Sequence, residues 1–177
     1  MDLERIALKD FVINPFDLFE SQWLLLTAGD YPSKKFNAMT VSWGSIGQIW
    51  SKMFMLVVVR PTRYTYQFIN DYPTFTVSAF PRAYRNALAL LGSKSGRDGD
   101  KISASGLTPI ASHAVQAPGF AEANLIIECK KMYWDDLKPE NFMDESILGH
   151  YSENDFHRMY FGEIVDIYAD RATYTKL

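Results

Sequence analysis

Hydrophobic and polar positions fall into short runs along the chain, most with the period of two that marks a strand. Trp23 to Thr27 is an apolar run closed by Ala28-Gly29-Asp30-Tyr31-Pro32, which predicts a strand ending in a turn. Asn37 to Trp43 alternates, with Met39 and Val41 against Thr40 and Ser42, and predicts a half-buried strand ended by Gly44 and Gly47. Met53 to Val59 is apolar on both faces and reads as a central strand stopped by Pro61. Thr65, Phe68, Ile69 and Tyr72 take helical spacing, with Pro61 suited to the entry and Pro73 ending the helix. Thr74 to Ala79 is another β-prone run. Pro81 opens a second helix with Tyr84, Ala87, Leu88 and Leu91 as its buried stripe and Gly92 as its stop, before a polar loop from Ser93 to Gly99. Leu125, Ile127 and Cys129 alternate with Asn124, Glu128 and Lys130, a strand with one wet face, and Met159 to Tyr168 is the last main strand.

Strands outnumber helices, and several are joined by short connections. That pattern favours an antiparallel barrel with helices outside it over a doubly wound sheet. Neither a dinucleotide fingerprint nor a P-loop contradicts it. Repeats and Pro/Ser linkers are absent, so residues 1–177 are read as one domain.

Composition narrows the function classes. With 47% hydrophobic and 22% charged residues the chain can bury a real core, and the 15% aromatic share suits strands and flat-ligand pockets as well as core filling. A formal charge of −3 with no run of Lys or Arg argues against a nucleic-acid surface. A single cysteine, Cys129, excludes an internal disulfide and fits a reducing compartment. The start, Met1-Asp2-Leu3-Glu4-Arg5, does not resemble a signal peptide, and the longest apolar run is far short of the ~20 residues that span a bilayer. A soluble, cytoplasmic protein without a membrane partner is expected.

His113, His150, His157 and Cys129 have no metal-ligand spacing, so no metal site is expected. Cys129 reads as a core thiol, and His157, just before the last strand, as a surface or hydrogen-bonding residue or as part of a site. Two segments suit an anion. Arg60-Pro61-Thr62-Arg63-Tyr64-Thr65 delivers two arginines and hydroxyls to a helix entry, where a solvated helix start is the alternative. Ser93 to Lys101 offers cations, hydroxyls and flexible backbone donors, though its own aspartates can neutralise it and an ordinary surface loop is the alternative.

Taken in order, these segments resemble a known family. Asn-Ala-Met-Thr-Val-Ser-Trp-Gly at 37–44, Val-Arg-Pro-Thr-Arg-Tyr-Thr at 59–65, Phe-Thr-Val-Ser-Ala-Phe-Pro at 75–81 and Ser-Gly-Arg-Asp-Gly-Asp-Lys at 95–101 carry the resemblance. Gly-Leu-Thr-Pro at 106–109, Glu122-Ala123 before Glu128-Cys129-Lys130, and His157 with Tyr160-Phe161-Gly162-Glu163 extend it, as does the entry through Asn14-Pro15-Phe16, Trp23 and Thr27-Ala28-Gly29. The chain is similar over nearly its whole length to the flavoredoxin branch of the flavin reductase-like, FMN-binding split-barrel family. Each motif is weak alone; the ordered set is specific.

The resemblance implies a mainly β fold with flanking helices, a six-stranded antiparallel Greek-key split β-barrel, and a homodimer with flavin mononucleotide (FMN) near the subunit interface. It assigns the ring and ribityl side to Asn37, Ala38, Met39 and Thr40, and the approach to the flavin to Ser78, Ala79, Phe80 and the turn residues Arg60, Arg63, Tyr64 and Thr65. It sets Ser95, Gly96, Arg97, Asp98 and Lys101 near the ribityl phosphate and His157 near the ring. One departure is Met53, where the family tends to have proline after Trp50-Ser51-Lys52. Flavin N5 accepts a hydride itself, so the absence of an acid–base pair is expected. Three readings follow: an NAD(P)H-dependent flavin reductase, with NAD(P)H as a transient co-substrate and a flavin, metal or redox-protein acceptor; a flavoredoxin-like carrier without direct use of NAD(P)H; or a barrel that has lost its flavin. Residues 135–156 are polar, lack a strong period and suit a lid over the ring.

Overall fold

The computed structural model describes residues 3–176. Its strands are β1 (Glu4–Arg5), β2 (Leu24–Asp30), β3 (Lys35–Val41), β4 (Gly44–Ile49), β5 (Lys52–Val59), β6 (Thr74–Ala79), β7 (Pro109–Ile110), β8 (Gly119–Phe120), β9 (Leu125–Asp136) and β10 (Arg158–Ala169). The helices are α1 (Pro15–Asp17), α2 (Thr65–Asp71), α3 (Arg85–Ser93), α4 (Lys101–Ser105) and α5 (Arg171–Tyr174). The main sheet runs β3-β2-β6-β9-β10-β5-β4, with β1 pairing on β10, while β7 and β8 form a separate ribbon. Every pairing is antiparallel, and Val77 illustrates the register, lying opposite Leu26 on one side and Ile127 on the other.

Alternation along the strands builds two cores. Met39 and Val41, at one end of the sheet, share a buried cluster with Met55 and Val57, near the other end, so the sheet curls around a common interior. On its outer face Leu25, Ala38 and Ile126 pack against Phe80, Leu88, Leu91, Ile102, Leu107 and Phe120 from the helices and the β7–β8 region. This mainly antiparallel architecture with flanking helices is the one expected from sequence, although the main sheet has eight strands where six were expected, the short β1 and the β4 hairpin strand being among them. No described helix is long and apolar enough to cross a membrane.

Several local expectations are corrected. Strand β2 continues through Ala28–Asp30 and the turn lies at Tyr31–Lys34, where the Asp30 carboxylate accepts from the Ser33 amide. Gly44 and Gly47 do not end a sheet segment but lie in β4, an additional strand that turns back into β5 through Trp50 and Ser51, both at positive φ. Strand β5 is not buried on both faces: Met55, Val57 and Val59 point inward, while Phe54, Leu56 and Val58 stay half-exposed. Gly92 lies within α3 rather than stopping it; its missing side chain admits Thr40, whose Cβ would stand 3.1 Å from a glycine-replacing Cβ. The outer face of 125–130 is wet at Lys130 but covered at Ile126 and Glu128. Ile126 is covered by the second core, and the buried Glu128 carboxylate accepts from the amides of His113 and Ala114 at 2.9 and 2.6 Å.

Candidate functional site

Three elements end side by side and form a pocket of about 270 Å³. The end of β3 and the residues after it supply Met39, Thr40, Val41, Ser42 and Trp43. Strand β5 and the turn it delivers add Val58, Arg60 and Arg63, and His157 stands just before β10. The turn is closed by the Arg63 amide donating to the Arg60 carbonyl, which keeps both guanidinium groups on the pocket side. Trp43 is 46% exposed and forms an aromatic wall, with ring centroids 5.2 Å from His157 and 5.5 Å from His150.

The electrostatics are one-sided. Arg60 pairs with Asp155 at 2.5 Å and donates to the His150 carbonyl at 2.7 Å. Arg63 donates to the carbonyl of Gly92, and no described carboxylate pairs with it. Its pKa is lowered by burial and by the neighbouring Arg60 charge. Lys101 donates to the carbonyls of Leu91 and Lys94 at 2.8 and 3.0 Å, closing the C-terminal end of α3. Burial, with Arg63 adding to it, pushes the Lys101 ammonium down to about 8. His157, lowered to about 4 by burial and then by Arg60, is neutral near pH 7. Arg63 therefore stands half-buried beside a second cation with no carboxylate of its own, and an anion bound there would supply the missing counter-charge.

A larger cleft, about 1210 Å³, opens on the other side of this cation cluster, between the β2–β3 turn, α2 and residues 96–109. Asn37, Tyr64, Gly96 and Lys101 line it with Tyr31, Phe36, Phe68 and Tyr72. Asn37 is buried, and its amide donates to the Thr65 hydroxyl at 2.8 Å. Gly96 approaches so closely that a Cβ there would lie 2.5 Å from Asn37 Oδ1 and 2.8 Å from Tyr64 Cδ1.

The predicted residues therefore divide. Met39, Thr40, Arg60, Arg63 and His157 meet in the smaller pocket; Asn37, Tyr64, Gly96 and Lys101 line the larger cleft. Thr65 is buried behind Asn37. Arg97 lines neither cavity: it donates to the Thr62 carbonyl at 3.2 Å and lies over the Tyr64 ring, and the Ser95 hydroxyl accepts from its amide. Asp98 lies in the same turn. Ala38, Ser78, Ala79 and Phe80 are buried in the two cores and line neither cavity. Met53 lies away from both, on an exposed aromatic face. Val41, Ser42 and Trp43, which stand in the 37–44 motif without an individual role from sequence, and Val58, just before the 59–65 motif, complete the smaller pocket. Residues 139–141 and 145–150 of the expected lid form short 3₁₀ turns, and Arg60 fastens the following loop.

Comparison with known proteins bears directly on this geometry. Residues 16–176 match the family described as the flavin reductase like domain. The chain belongs to this family. Among solved structures of flavin reductase-like proteins, the FMN-binding domain of a flavin reductases-like enzyme from Shewanella baltica superposes with a TM-score of 0.69 at 17% identity, over 96% of this chain and 78% of that one. Flavoredoxin of Desulfovibrio vulgaris gives 0.65 at 26% identity, over 85% and 70% of the two chains. An NADH:FAD oxidoreductase from Streptomyces globisporus gives 0.64 at 18% identity, over 85% and 76%. No curated protein matches the sequence. The fold is thus the split barrel of flavin reductase-like domains, and the flavoredoxin resemblance read from the ordered motifs holds.

Proposed function

We propose that the chain binds FMN across the smaller pocket and passes electrons through it from NADH or NADPH to a flavin, metal or protein acceptor. The observation that carries this reading is the pairing of Arg63, which has no carboxylate partner among the described residues, with the exposed Trp43 indole in one pocket. A phosphate finds its counter-charge at Arg63 and Arg60, and a flat ring finds Trp43 and the 39–42 backbone. FMN, when bound, supplies the hydride-accepting chemistry. The protein's own residues then bind, orient and shield: the arginines neutralise the anion, Val41 and Val58 exclude water, and neutral His157 offers a hydrogen bond without adding charge. Family membership and an FMN-binding structural relative support the cofactor; the NADH:FAD oxidoreductase relative supports the nicotinamide donor.

A homodimer belongs to the same proposal. Trp50, Met53 and Tyr133 are exposed beside Phe54 and Phe161, with the Trp50–Tyr133, Phe54–Phe161 and Tyr133–Phe161 ring centroids 6.1, 5.5 and 5.9 Å apart. Phe54 shares a face of β5 with Val58 of the pocket, because alternate strand residues point the same way. A second copy covering this aromatic face would also wall the pocket, whose volume lies just under the ~300–1,000 Å³ of small-molecule sites. The free, buried Cys129 suits a cytoplasmic setting.

The second reading, a carrier that takes electrons only from other proteins, draws on the likeness to flavoredoxin. Rapid mixing of the FMN-loaded protein with NADH or NADPH, without oxygen, separates the two. Bleaching of the flavin band within seconds supports the reductase; bleaching by dithionite but by neither nucleotide establishes the carrier.

A further inference from the structure

His157 is 8% exposed, yet it lines the pocket, and its Nδ1 lies 2.9 Å from the Tyr151 hydroxyl. Tyr151 is itself buried, stacked on Phe156 at 4.6 Å and covered by the Arg60 guanidinium 5.0 Å from its ring centroid. Among the described residues the Tyr151 hydroxyl has no other hydrogen-bond partner, so its proton has one acceptor within reach, the imidazole Nδ1. Reversing that bond would strand a buried hydroxyl proton, at a cost of about 1–3 kcal/mol. An imidazole that accepts at Nδ1 carries its own proton at Nε2, and Nε2 has no described partner in the protein.

We propose that Tyr151 is a positioning residue that holds His157 as the Nε2–H tautomer, so that the pocket presents a neutral donor to a carbonyl or unprotonated ring nitrogen of a planar heterocycle. The inference rests on the flavin reading only for the identity of that acceptor. Arg60 and Arg63 line the same pocket and carry only donors, so a ligand rich in acceptors is the one the site rewards. Burial raises the Tyr151 pKa and lowers that of His157, so neither group changes charge near neutral pH and the tautomer persists. The Arg60–Asp155 pair and the Arg60 bond to the His150 carbonyl fasten the loop that carries Tyr151.

Nitrogen-15 NMR of the full chain at neutral pH tests this without a turnover assay. The expected spectrum shows His157 protonated at Nε2 and accepting at Nδ1, and Tyr151→Phe shifts it towards a mixture of tautomers. Protonation at Nδ1 in the unsubstituted protein overturns the inference, and this holds even if Tyr151→Phe fails to fold. A cycle of FMN affinities adds a second arm. Tyr151→Phe and His157→Leu should each weaken FMN binding several-fold, and the double variant no further than His157→Leu alone, because both act through one donor; additive losses would overturn the proposal. If the tautomer is as stated and FMN does not bind, the flavin reading falls and the tautomer assignment stands.

Discussion

Arg63→Met separates binding from folding more sharply than other substitutions in this pocket. Methionine keeps an apolar stem of similar length and removes the guanidinium. In the unliganded chain the substitution forfeits the charge-assisted hydrogen bond to the Gly92 carbonyl, worth about 1.5–3 kcal/mol, and relieves the desolvation and the repulsion from Arg60 that lower the Arg63 pKa. These effects oppose each other, so unfolding stability should fall by less than about 2 kcal/mol. Binding has no such offset. A hydrogen bond to a charged phosphate contributes about 1.5–3 kcal/mol, so the Kd for FMN should rise about ten- to hundred-fold. Riboflavin, which lacks the phosphate, should change by less than about threefold, since it forgoes that bond in either protein. Fluorescence titration with each flavin, alongside urea unfolding of the unliganded chain, measures all three quantities. Parallel losses for FMN and riboflavin, or an unchanged Kd for FMN, would refute the phosphate role. A stability loss above about 2 kcal/mol would show that Arg63 is a structural brace instead.

Three further outcomes are expected. Gly96→Ala drives a Cβ to 2.5 Å from Asn37 Oδ1, so thermal unfolding should report about 1–3 kcal/mol of lost stability, and an unchanged midpoint would contradict the close approach. Trp50→Glu puts a charge on the exposed aromatic face, and light scattering should change from a dimer to a monomer; an unchanged dimer would move the interface elsewhere. His157 has a folded pKa near 4 against 6.5 when free, so the unfolded chain binds the extra proton between those values. Stability should therefore fall as pH drops from about 6.5 towards 4, by at most about 1.4 kcal/mol per pH unit from this group, and His157→Gln should flatten that segment of the urea-denaturation profile.

Much of the fold was legible because local pattern and tertiary environment agree there. Strand β6 has the predicted bounds, and β10 and α2 nearly so, since their side chains meet the surroundings their alternation or helical spacing calls for. Where distant chain covers a surface, the pattern misleads: Glu128 looks like a wet position until residues 113–114 deliver two amides to it. Helix α4 went unpredicted although its capping signals were present, with Asp100 accepting from the Ser103 amide and Gly106 left-handed after its last turn. The site was half legible. Motif order brought Met39, Thr40, Arg60, Arg63 and His157 forward, and the fold joins them. The contribution of Tyr151 depends on a hydroxyl six residues from His157 folding back onto the ring, which no spacing rule encodes. Likewise, burial of Ser78 and Ala79 between two cores follows from the sheet being covered on both faces, a property of the assembled barrel rather than of residues 74–79.

The central claim, that this pocket holds a flavin through its phosphate, is tested most directly by the affinities of the unsubstituted protein for FMN and riboflavin, measured by equilibrium dialysis at low and high salt. The structure predicts that FMN binds at least tenfold more tightly, that its advantage shrinks as salt screens Arg60 and Arg63, and that riboflavin binding hardly responds to salt. Equal affinities for the two flavins at low salt would contradict it.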